Sequence, residues 1–476
     1  MKTDEPTPID APEPTAPSAN LEPTRHLSLD SVHGTVNVPD HRAGFWEHWR
    51  AFVGPAILVS VGYMDPGNWG TDLQAGAQFK YELLWVVGLA SLMAIFMQII
   101  SARLGVVTGK DLAQCCRDWY PRWTRWPNWL MSEVAIGACD LAEVLGSAVA
   151  LNLLFHIPLL WAVIITGLDV LLLLTLQSLG MRTIEAVVLL LIATIAVCYF
   201  IEIFVLPQTQ PGFLEMGRAL LSPHLRHAGM AYVAIGIIGA TVMPHNLYLH
   251  SALVQSRKFQ KDVPSIRRAI QFNTLDSIVA LTVAFFVNAA ILVLAATVFF
   301  GKESVTLPGG QMFHFAAGSD WIRVAYLTLG PLPGTALAST LFAVALLASG
   351  QSSTITGTLA GQVVMEGFMH WRIKPWVRRL ITRTLAILPA VFIIGLRGDS
   401  SVTNLLTLSQ VVLAMQLPFA MFPLLHFTSS GKRMGTWKNG RLLLVAGWTS
   451  AILITAMDVY GLPDSLKAAW YVITGG

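Results

Sequence analysis

Runs of about 20 mostly apolar residues follow one another along most of this 476-residue chain, each long enough to cross a bilayer's ~30 Å hydrocarbon core as a helix. Hydrophobic residues make up 54% of the sequence and charged residues only 12%, about half the charged share of a soluble domain. Backbone groups inside a bilayer must satisfy their own hydrogen bonds, which for such runs leaves the α-helix. The sequence therefore predicts an all-α polytopic membrane protein rather than a soluble enzyme.

Hydropathy predicts eleven transmembrane helices. They cover residues 53–79, 82–107, 130–155, 158–180, 184–206, 230–257, 273–300, 334–368, 376–396, 403–428 and 441–460. Residues 1–43 contain seven prolines and no apolar core, so they are predicted to be a disordered cytoplasmic tail before a transmembrane domain of residues 44–476. The tail lacks the apolar segment of a signal peptide, so no cleavage is expected.

Basic residues predict how the chain is oriented in the membrane. If the N-terminal tail is cytoplasmic, the segments on that side carry 24 of the 31 Lys and Arg residues. This asymmetry follows the positive-inside rule. It predicts a multi-pass protein of a cell (inner) membrane with a cytoplasmic N-terminus and, after eleven spans, an external C-terminus.

Charge also limits the classes of partner. The net charge is only +3, and no basic block alternates with aromatic residues, so no nucleic-acid partner is expected. The lipid bilayer is the expected surrounding, and the sequence identifies no protein partner.

Two of the spans contain a proline beside polar residues at mid-depth. Span one contains Asp65-Pro66-Gly67-Asn68, and span six contains Met243-Pro244-His245-Asn246. Proline cannot donate to the carbonyl one helical turn earlier, which for Pro244 is that of Ala240. Unpaired backbone groups are tolerated at this depth only where they line a cavity or are buried in protein. Helices one and six are therefore predicted to be discontinuous, each consisting of two half-helices.

The position of these breaks predicts an inverted repeat. They lie five spans apart, so the two broken helices cross the membrane in opposite directions. A repeat of five helices plus five has this geometry, and its discontinuous helices face each other near the midplane. The repeats are predicted at about 50–207 and about 228–428, with the eleventh span, 441–460, as an addition.

The groups around the breaks suit a divalent transition-metal ion. They are the Asp65 carboxylate, the Asn68 amide oxygen, the freed Ala240 carbonyl and the Met243 thioether. Oxygens alone would suit Mg²⁺ or Ca²⁺, whereas a sulfur ligand favours softer ions such as Mn²⁺, Fe²⁺ and Co²⁺. Only one of these ligands is anionic, which favours release of the ion and hence transport over storage. Gln410 in span ten is a further candidate ligand, although Gln416 competes for that role.

A row of carboxylates in span three indicates a second function. Glu133, Asp140 and Glu143 have spacings of seven and three residues, which place them along one helix face. Such groups inside a membrane form either a proton relay or buried ion pairs. Candidate partners at the start of span nine are Arg378, Arg379 and Arg383. His245, directly after the second break, can titrate near neutral pH and is a candidate for proton coupling or gating.

The break motifs, together with Asp140-Leu141-Ala142-Glu143, resemble the Nramp family of proton-coupled divalent metal ion transporters, of the bacterial manganese transporter type. The resemblance covers roughly residues 50–460 and includes residues 72–77, 247–251 and 349–354. It implies a LeuT-like fold and proton-coupled import of Mn²⁺ and Fe²⁺ by alternating access. The metal ligands it implies are Asp65, Asn68, Met243 and the Ala240 carbonyl. The proton route it implies passes through Asp140, Glu143 and His245, with Arg378 and Arg379 assisting inward release.

Two alternatives remain open at this point. A sodium-coupled amino-acid carrier of the same architecture would have unwound segments rich in Gly and Ser, and would leave Asp65 and Met243 unexplained. A non-transporting membrane receptor on this fold would have lost a ligand or gained a large soluble domain. The sequence favours a secondary transporter that is not an enzyme and needs no cofactor.

Overall fold

The computed structural model describes residues 28–29, 33–39, 43–168, 181–205, 211–227, 229–301, 304–306, 312–314, 321–329, 336–398 and 402–474. These residues are almost entirely helical. The helices are α1 Phe45–Phe52, α2 Pro55–Gly62, α3 Pro66–Phe79, α4 Leu84–Thr108, α5 Leu112–Trp119, α6 Arg125–Phe155, α7 Leu159–Ile165, α8 Met181–Phe200, α9 Phe213–Leu220, α10 Met230–Val242, α11 Pro244–Leu253, α12 Val263–Val298, α13 Trp321–Leu329, α14 Ala336–Met369, α15 Pro375–Arg397, α16 Val402–Ser429, α17 Gly431–Met434 and α18 Arg441–Thr474.

Two short two-stranded ladders accompany the helices. Strand β1 (Val36–Asn37) pairs in parallel with β2 (Arg257–Lys258), and β3 (Ser304–Thr306) pairs in antiparallel with β4 (Met312–His314). In the first ladder Val36 lies opposite Arg257. The fold is therefore helical, with one strand contact between the N-terminal segment and the residues that follow α11.

The apolar helices occupy the predicted spans. Within the described residues, eight helices are long and apolar enough to cross a membrane: Leu84–Thr108, Arg122–Phe155, Arg182–Phe200, Met230–Ser256, Val263–Val298, Trp376–Leu396, Val402–Ser429 and Arg441–Trp470. Broken span one corresponds to α2 and α3, and span eight corresponds to α14. Span four is helical to Leu168, and its remainder, 169–180, lies outside the described residues.

Three sequence expectations need correction. Helix α12 begins at Val263 rather than at residue 273, because Pro264 in its first turn starts a helix that hydropathy does not mark. Helix α18 continues to Thr474, beyond the expected end at 460. The disorder expected of residues 1–43 does not hold for 33–39, where the backbone of β1 hydrogen-bonds to β2.

Both predicted breaks are present. Asp65 has an extended backbone and begins α3, with Pro66 in the first turn of that helix. Met243 separates α10 from α11 with a φ of 36°, a left-handed value that is uncommon for a residue with a side chain. Each broken span is thus two helices joined at one or a few residues.

Close helix packing brings these breaks together. A Cβ on Gly146 of α6 would lie 2.1 Å from the Pro66 ring, and one on Gly239 of α10 would lie 2.0 Å from the Gln410 carbonyl oxygen. Small residues at helix crossings allow such an approach inside a membrane. As a result α6 packs against the first break, and α16 packs against the helix that leads into the second.

Candidate metal site

The first break places a carboxylate at the start of a helix. The Asp65 side chain caps α3, and its Oδ1 accepts a hydrogen bond from the Asn68 backbone N–H at 2.9 Å. Asp65 is fully buried, and its Oδ2 has no hydrogen-bond partner among the described residues. A buried carboxylate oxygen without a donor is costly unless a cation or a proton compensates it.

The second break supplies a backbone oxygen and a thioether. Pro244 lacks an N–H, so the Ala240 carbonyl has no donor one turn along the chain. Ala240 and Met243 are fully buried. The Met243 sulfur lies 3.4 Å from Asn246 Nδ2, and a Cβ on Gly62 in the other broken helix would lie 3.2 Å from it.

The Asn68 side chain joins the two breaks. Its amide end lies 2.7 Å from Asp65 Oδ1 and 3.2 Å from the Ala240 carbonyl oxygen. With its nitrogen at this end, Asn68 donates to both oxygens, and its own oxygen accepts from Asn288 Nδ2 at 3.1 Å. With its oxygen there, three oxygens from the two breaks converge, an arrangement that requires a cation between them.

Gln410 approaches the same place from α16. Its side-chain end lies directly over Gly67, because a Cβ on Gly67 would be 1.9 Å from Gln410 Nε2. Its Oε1 is buried and has no hydrogen-bond donor among the described residues. No three His, Cys, Asp or Glu side chains of the described residues form a metal cluster. A site here therefore depends on amide, carbonyl and thioether ligands beside a single carboxylate.

The carbonyls freed at the first break are satisfied by side chains from distant helices. Asn288 Nδ2 of α12 donates to the Tyr63 carbonyl at 2.8 Å, and the Ser349 hydroxyl of α14 donates to the Met64 carbonyl. The sequence pointed to the polar stretch around Ser349 but did not identify Asn288. The available signal was a lone asparagine in the middle of span seven.

A buried polar chain on the other side of the break was also missed. Gln98 of α4 donates to the Tyr63 hydroxyl, and its Oε1 lies 2.9 Å from His250 Nδ1 of α11. All three residues are buried. This chain connects the first break with the second half of broken span six.

The carboxylates of α6 face the arginines of α15, as their spacing allowed. Arg378 Nη2 contacts Glu133 Oε2 at 2.8 Å, and Arg379 contacts both Asp140 and Glu143, the latter at 2.9 Å. Arg383 also contacts Glu143, at 3.3 Å. These pairs form one ladder along the helix face.

The ladder lies close to the metal ligands. Glu143 interacts electrostatically with Asp65, and Asp140 interacts with His245. His245 is buried, and its Nδ1 has no partner among the described residues. The structure thus places the predicted metal ligands and the predicted proton-route residues in two adjoining groups, which are buried except at the partly exposed Glu133.

On the face predicted to be cytoplasmic, buried polar contacts hold the start of the first broken helix. Asp276 Oδ2 accepts from the backbone N–H groups of Gly54 and Ala56, at 3.2 and 2.9 Å. Arg257 bonds Glu185 Oε1 at 2.8 Å and the Val53 carbonyl at 2.7 Å. These contacts tie the start of α2 to α8 and α12, so this end of the first broken helix is held in place.

A helical membrane fold with two interrupted helices that meet at a buried set of candidate metal ligands is that of a membrane transporter of LeuT-like architecture. The profile of the family described as natural resistance-associated macrophage protein-like, Nramp, matches residues 56–464. The chain belongs to the Nramp family.

Individual relatives agree with this assignment. The divalent metal cation transporter MntH of Nostoc sp. is 48% identical over 446 residues, which is 93% of this chain and 97% of the relative. The crystal structure of the Eremococcus coleocola manganese transporter in complex with an aromatic bis-isothiourea compound has a TM-score of 0.81 and 39% identity, over 94% of this chain and 96% of that one. MHP1, a nucleobase-cation-symport-1 family transporter, is similar in fold alone, with a TM-score of 0.54 and 13% identity over 88% of this chain and 92% of that one.

Proposed function

We propose that this chain imports divalent transition-metal ions, Mn²⁺ and Fe²⁺ in particular, across a cell membrane together with protons. The observation that carries the proposal is the meeting of Asp65 Oδ1, the Asn68 amide and the Ala240 carbonyl at the facing breaks. The names of the relatives, a divalent metal cation transporter and a manganese transporter, support the same class of substrate.

In this proposal the ion binds beside Asp65 Oδ2 and Gln410 Oε1, the buried oxygens that accept no hydrogen bond from the described residues. Asp65 provides the one negative charge, and the Asn68, Gln410 and Ala240 oxygens complete the hard part of the ligand set. Asn68 turns its amide oxygen toward the ion and gives up its donated hydrogen bonds. The Met243 thioether favours transition metals over Ca²⁺ and Mg²⁺. A single carboxylate keeps the affinity low enough for release.

Release to the cytoplasm requires motion of the first broken helix. The site is buried, and the contacts of Asp276 and Arg257 hold the start of α2. Alternating access in this architecture moves one helical bundle against the other around a fixed site. The proposal therefore requires these contacts to break in the inward-open state.

Proton coupling is assigned to the α6–α15 ladder. An arriving divalent ion adds positive charge beside Asp65, whose carboxylate interacts with Glu143. We assign the proton route to Asp140, Glu143 and Glu133, with His245 at its metal-site end and Arg378 and Arg379 as the cations that favour proton release. The shared contacts of Arg379 with Asp140 and Glu143 allow a charge change at either acid to affect the other.

Metal selectivity is the direct test of the site. In proteoliposomes with an inside-negative potential, the wild-type protein should take up Mn²⁺ in the presence of excess Ca²⁺. Met243→Ala should reduce the preference for Mn²⁺ over Ca²⁺ by about tenfold, the loss expected for one ligand worth ~1.4 kcal/mol. Met97→Ala, an equally buried methionine of α4, is the matched control and should keep the preference.

Two results would refute the assignment of ligands. An unchanged Mn²⁺ preference in Met243→Ala would remove the thioether from the site. Retained calorimetric Mn²⁺ affinity in Asp65→Ala would place the site elsewhere.

Coupling is tested with a pH-sensitive dye inside the same vesicles. The lumen should acidify as Mn²⁺ enters, and Asp140→Asn should reduce the protons moved per Mn²⁺ more than it reduces Mn²⁺ uptake. An unchanged lumenal pH with the wild-type protein would leave only uniport.

A further inference from the structure

A polar pocket of about 390 Å³ opens on the predicted cytoplasmic face, apart from the metal site. Its walls come from β1, α1, the residues after β2 and the first turns of α12. The lining residues that matter here are His48, Lys258, Asp262, Ser265 and Arg268. This volume is in the range of pockets that bind small ligands.

The pocket is positively charged. Neither Lys258 nor Arg268 pairs with a carboxylate among the residues that the structure describes, and Asp262 is the acid in the lining. His48 Nδ1 lies 3.0 Å from the Gly44 carbonyl, so it carries the hydrogen, and Nε2 accepts from Arg268 Nη1 at 3.1 Å. This contact holds the guanidinium in place and brings no negative charge to it.

A helix start adds to this charge. Helix α12 has 36 residues and begins at the pocket, and the Asp262 side chain makes no capping hydrogen bond to its first turn. Pro264 has no N–H, and the Ile266 N–H bonds the Asp262 carbonyl at 3.0 Å. The N–H groups of Val263 and Ser265 are thus left for another acceptor, and the positive end of the helix dipole favours an anion there.

The pocket borders a surface suited to the bilayer interface. Helix α1 exposes Phe45 at 54% and Trp46 at 69%, and Val263 at the start of α12 is 60% exposed. Large aromatic residues on a short amphipathic helix are typical of the membrane–water boundary. Helix α12 leads from this point into the predicted span that begins at residue 273, so the pocket lies on the predicted cytoplasmic side of that span.

We propose that this pocket binds the phosphate group of an anionic phospholipid of the cytoplasmic leaflet, with Lys258, Arg268 and the first turn of α12 as its partners. A lipid is favoured over a soluble phosphate because the exposed apolar residues beside the pocket offer a surface for acyl chains. Basic pockets between transmembrane helices on the cytoplasmic side bind such head groups in other proteins.

The position of the pocket gives the lipid a structural effect. Helix α1 leads directly into α2, the cytoplasmic half of the first broken helix, and β2 follows α11 of the second. A phosphate held between Lys258 and Arg268 connects the ends of spans six and seven beside α1.

The test is thermal unfolding of the full-length protein in a neutral detergent. Titration with short-chain phosphatidylglycerol should raise the unfolding temperature and saturate, whereas short-chain phosphatidylcholine and inorganic phosphate should not. The double variant Lys258→Gln/Arg268→Gln should lower the apparent affinity for phosphatidylglycerol by about 30-fold, from ~1 kcal/mol for each cation. Arg267→Gln/Lys438→Gln removes the same charge outside the pocket and should stay within about twofold of wild type.

Each outcome decides the proposal. Equal losses in both double variants would show a non-specific charge effect and overturn it. A shift with inorganic phosphate equal to that with phosphatidylglycerol would identify a soluble ligand and overturn the lipid assignment. Ser265→Asp, which adds an acid at the pocket and keeps both cations, should also abolish the shift, so the proposal stays testable if the double variant does not fold.

Discussion

Gly67 shows how little free space surrounds the candidate metal site. It lies between the candidate carboxylate and amide ligands of the first break, and the Gln410 amide occupies the volume where its side chain would be. Because glycine has only a hydrogen here, Gln410 of α16 can reach the two candidate ligands at the start of α3. The candidate site therefore depends on the lack of a side chain at Gly67 as well as on the groups that surround it.

Gly67→Ala should therefore act through Gln410. The new methyl would lie within about 2 Å of the Gln410 amide, and overpacking of this kind costs about 1–3 kcal/mol. We expect about a tenfold weaker calorimetric affinity for Mn²⁺, and no further loss when Gly67→Ala is added to Gln410→Ala. Gly137→Ala, with nothing within 4 Å of the new Cβ, should bind normally. Additive losses in the double variant would separate Gly67 from Gln410.

A second residue-scale prediction concerns Asp111, the cap of α5 outside the membrane spans. Its side chain accepts from the Gln114 N–H at 2.8 Å, and burial raises the pKa of Asp111 to about 6. The folded protein thus holds the proton more tightly than the unfolded chain, whose pKa is about 3.9, so stability falls as pH rises from about 4 to 6. An asparagine at this position would keep a cap acceptor without the buried charge.

Asp111→Asn should match wild type in stability near pH 4 and exceed it by up to about 3 kcal/mol above pH 6, as measured by unfolding at several pH values. Asp118→Asn is the control on the same helix. Partial burial acts to raise the pKa of Asp118, but its ion pairs with Lys110 and Arg117 lower it overall. Asp118→Asn should therefore give no gain at pH 8. An Asp111→Asn gain that is equal at pH 4 and pH 8 would contradict the charge argument.

The two broken spans act as pairs of half-helices whose free ends carry the chemistry. In the first, a capping carboxylate begins α3; in the second, a proline begins α11 and leaves the Ala240 carbonyl without its usual donor. Side chains from α12 and α14 satisfy the carbonyls that are not needed. The elements therefore separate carbonyls that support the fold from the one that faces the candidate ligands.

Pro244→Ala tests this division. An N–H at position 244 can donate to the Ala240 carbonyl and allow α10 and α11 to join. We expect the calorimetric Mn²⁺ affinity to fall at least about tenfold, while the helix content by circular dichroism stays the same or rises. Pro389→Ala, at an exposed position within α15, is the control and should bind as wild type. Normal binding by Pro244→Ala would show that the Ala240 carbonyl is not a ligand.

At the scale of the whole molecule, the end of the first broken helix that is predicted to be cytoplasmic is held by residues from three other elements. Asp276 of α12, Arg257 of β2 and Glu185 of α8 all contribute, and all three are buried. Removing one partner leaves buried N–H groups or charges without compensation, which destabilises the closed arrangement. The open arrangement does not carry this cost if water reaches the same groups there. If the proposed alternating access is right, these contacts favour the closed state.

Asp276→Ala should shift the protein toward the cytoplasm-open state. With Ala56→Cys as a reporter in α2, labelling by a membrane-impermeant maleimide from the cytoplasmic side should speed up several-fold, because Gly54 and Ala56 lose their shared acceptor. The four native cysteines are buried and give a low background. The control is Asp464→Ala, at an exposed site in the C-terminal half of α18, and it should not change the rate. An unchanged rate in Asp276→Ala would mean that this contact does not hold the helix.

Much of this architecture could be predicted because its signals are local. Apolar runs marked the spans, Pro66 and Pro244 marked the breaks, and the spacing of Glu133, Asp140 and Glu143 placed them on one face. The family resemblance and the local motif agreed on the same ligands. Hydropathy missed the start of α12 and the strand pairing of β1, because neither a first-turn proline nor an isolated strand pair changes the hydropathy of the chain.

The sequence by itself determined the class of the protein, its two interrupted helices and the chemical types available at each break, since helix continuity and hydrophobic length depend on neighbouring residues. Only the tertiary structure decided which groups meet. Asn288 reaches Tyr63, Ser349 reaches Met64, and Gln410 covers Gly67 across more than 200 positions of sequence. Such contacts depend on how whole helices pack against each other. That packing involves residues far apart in the chain, so a local sequence pattern does not reveal it.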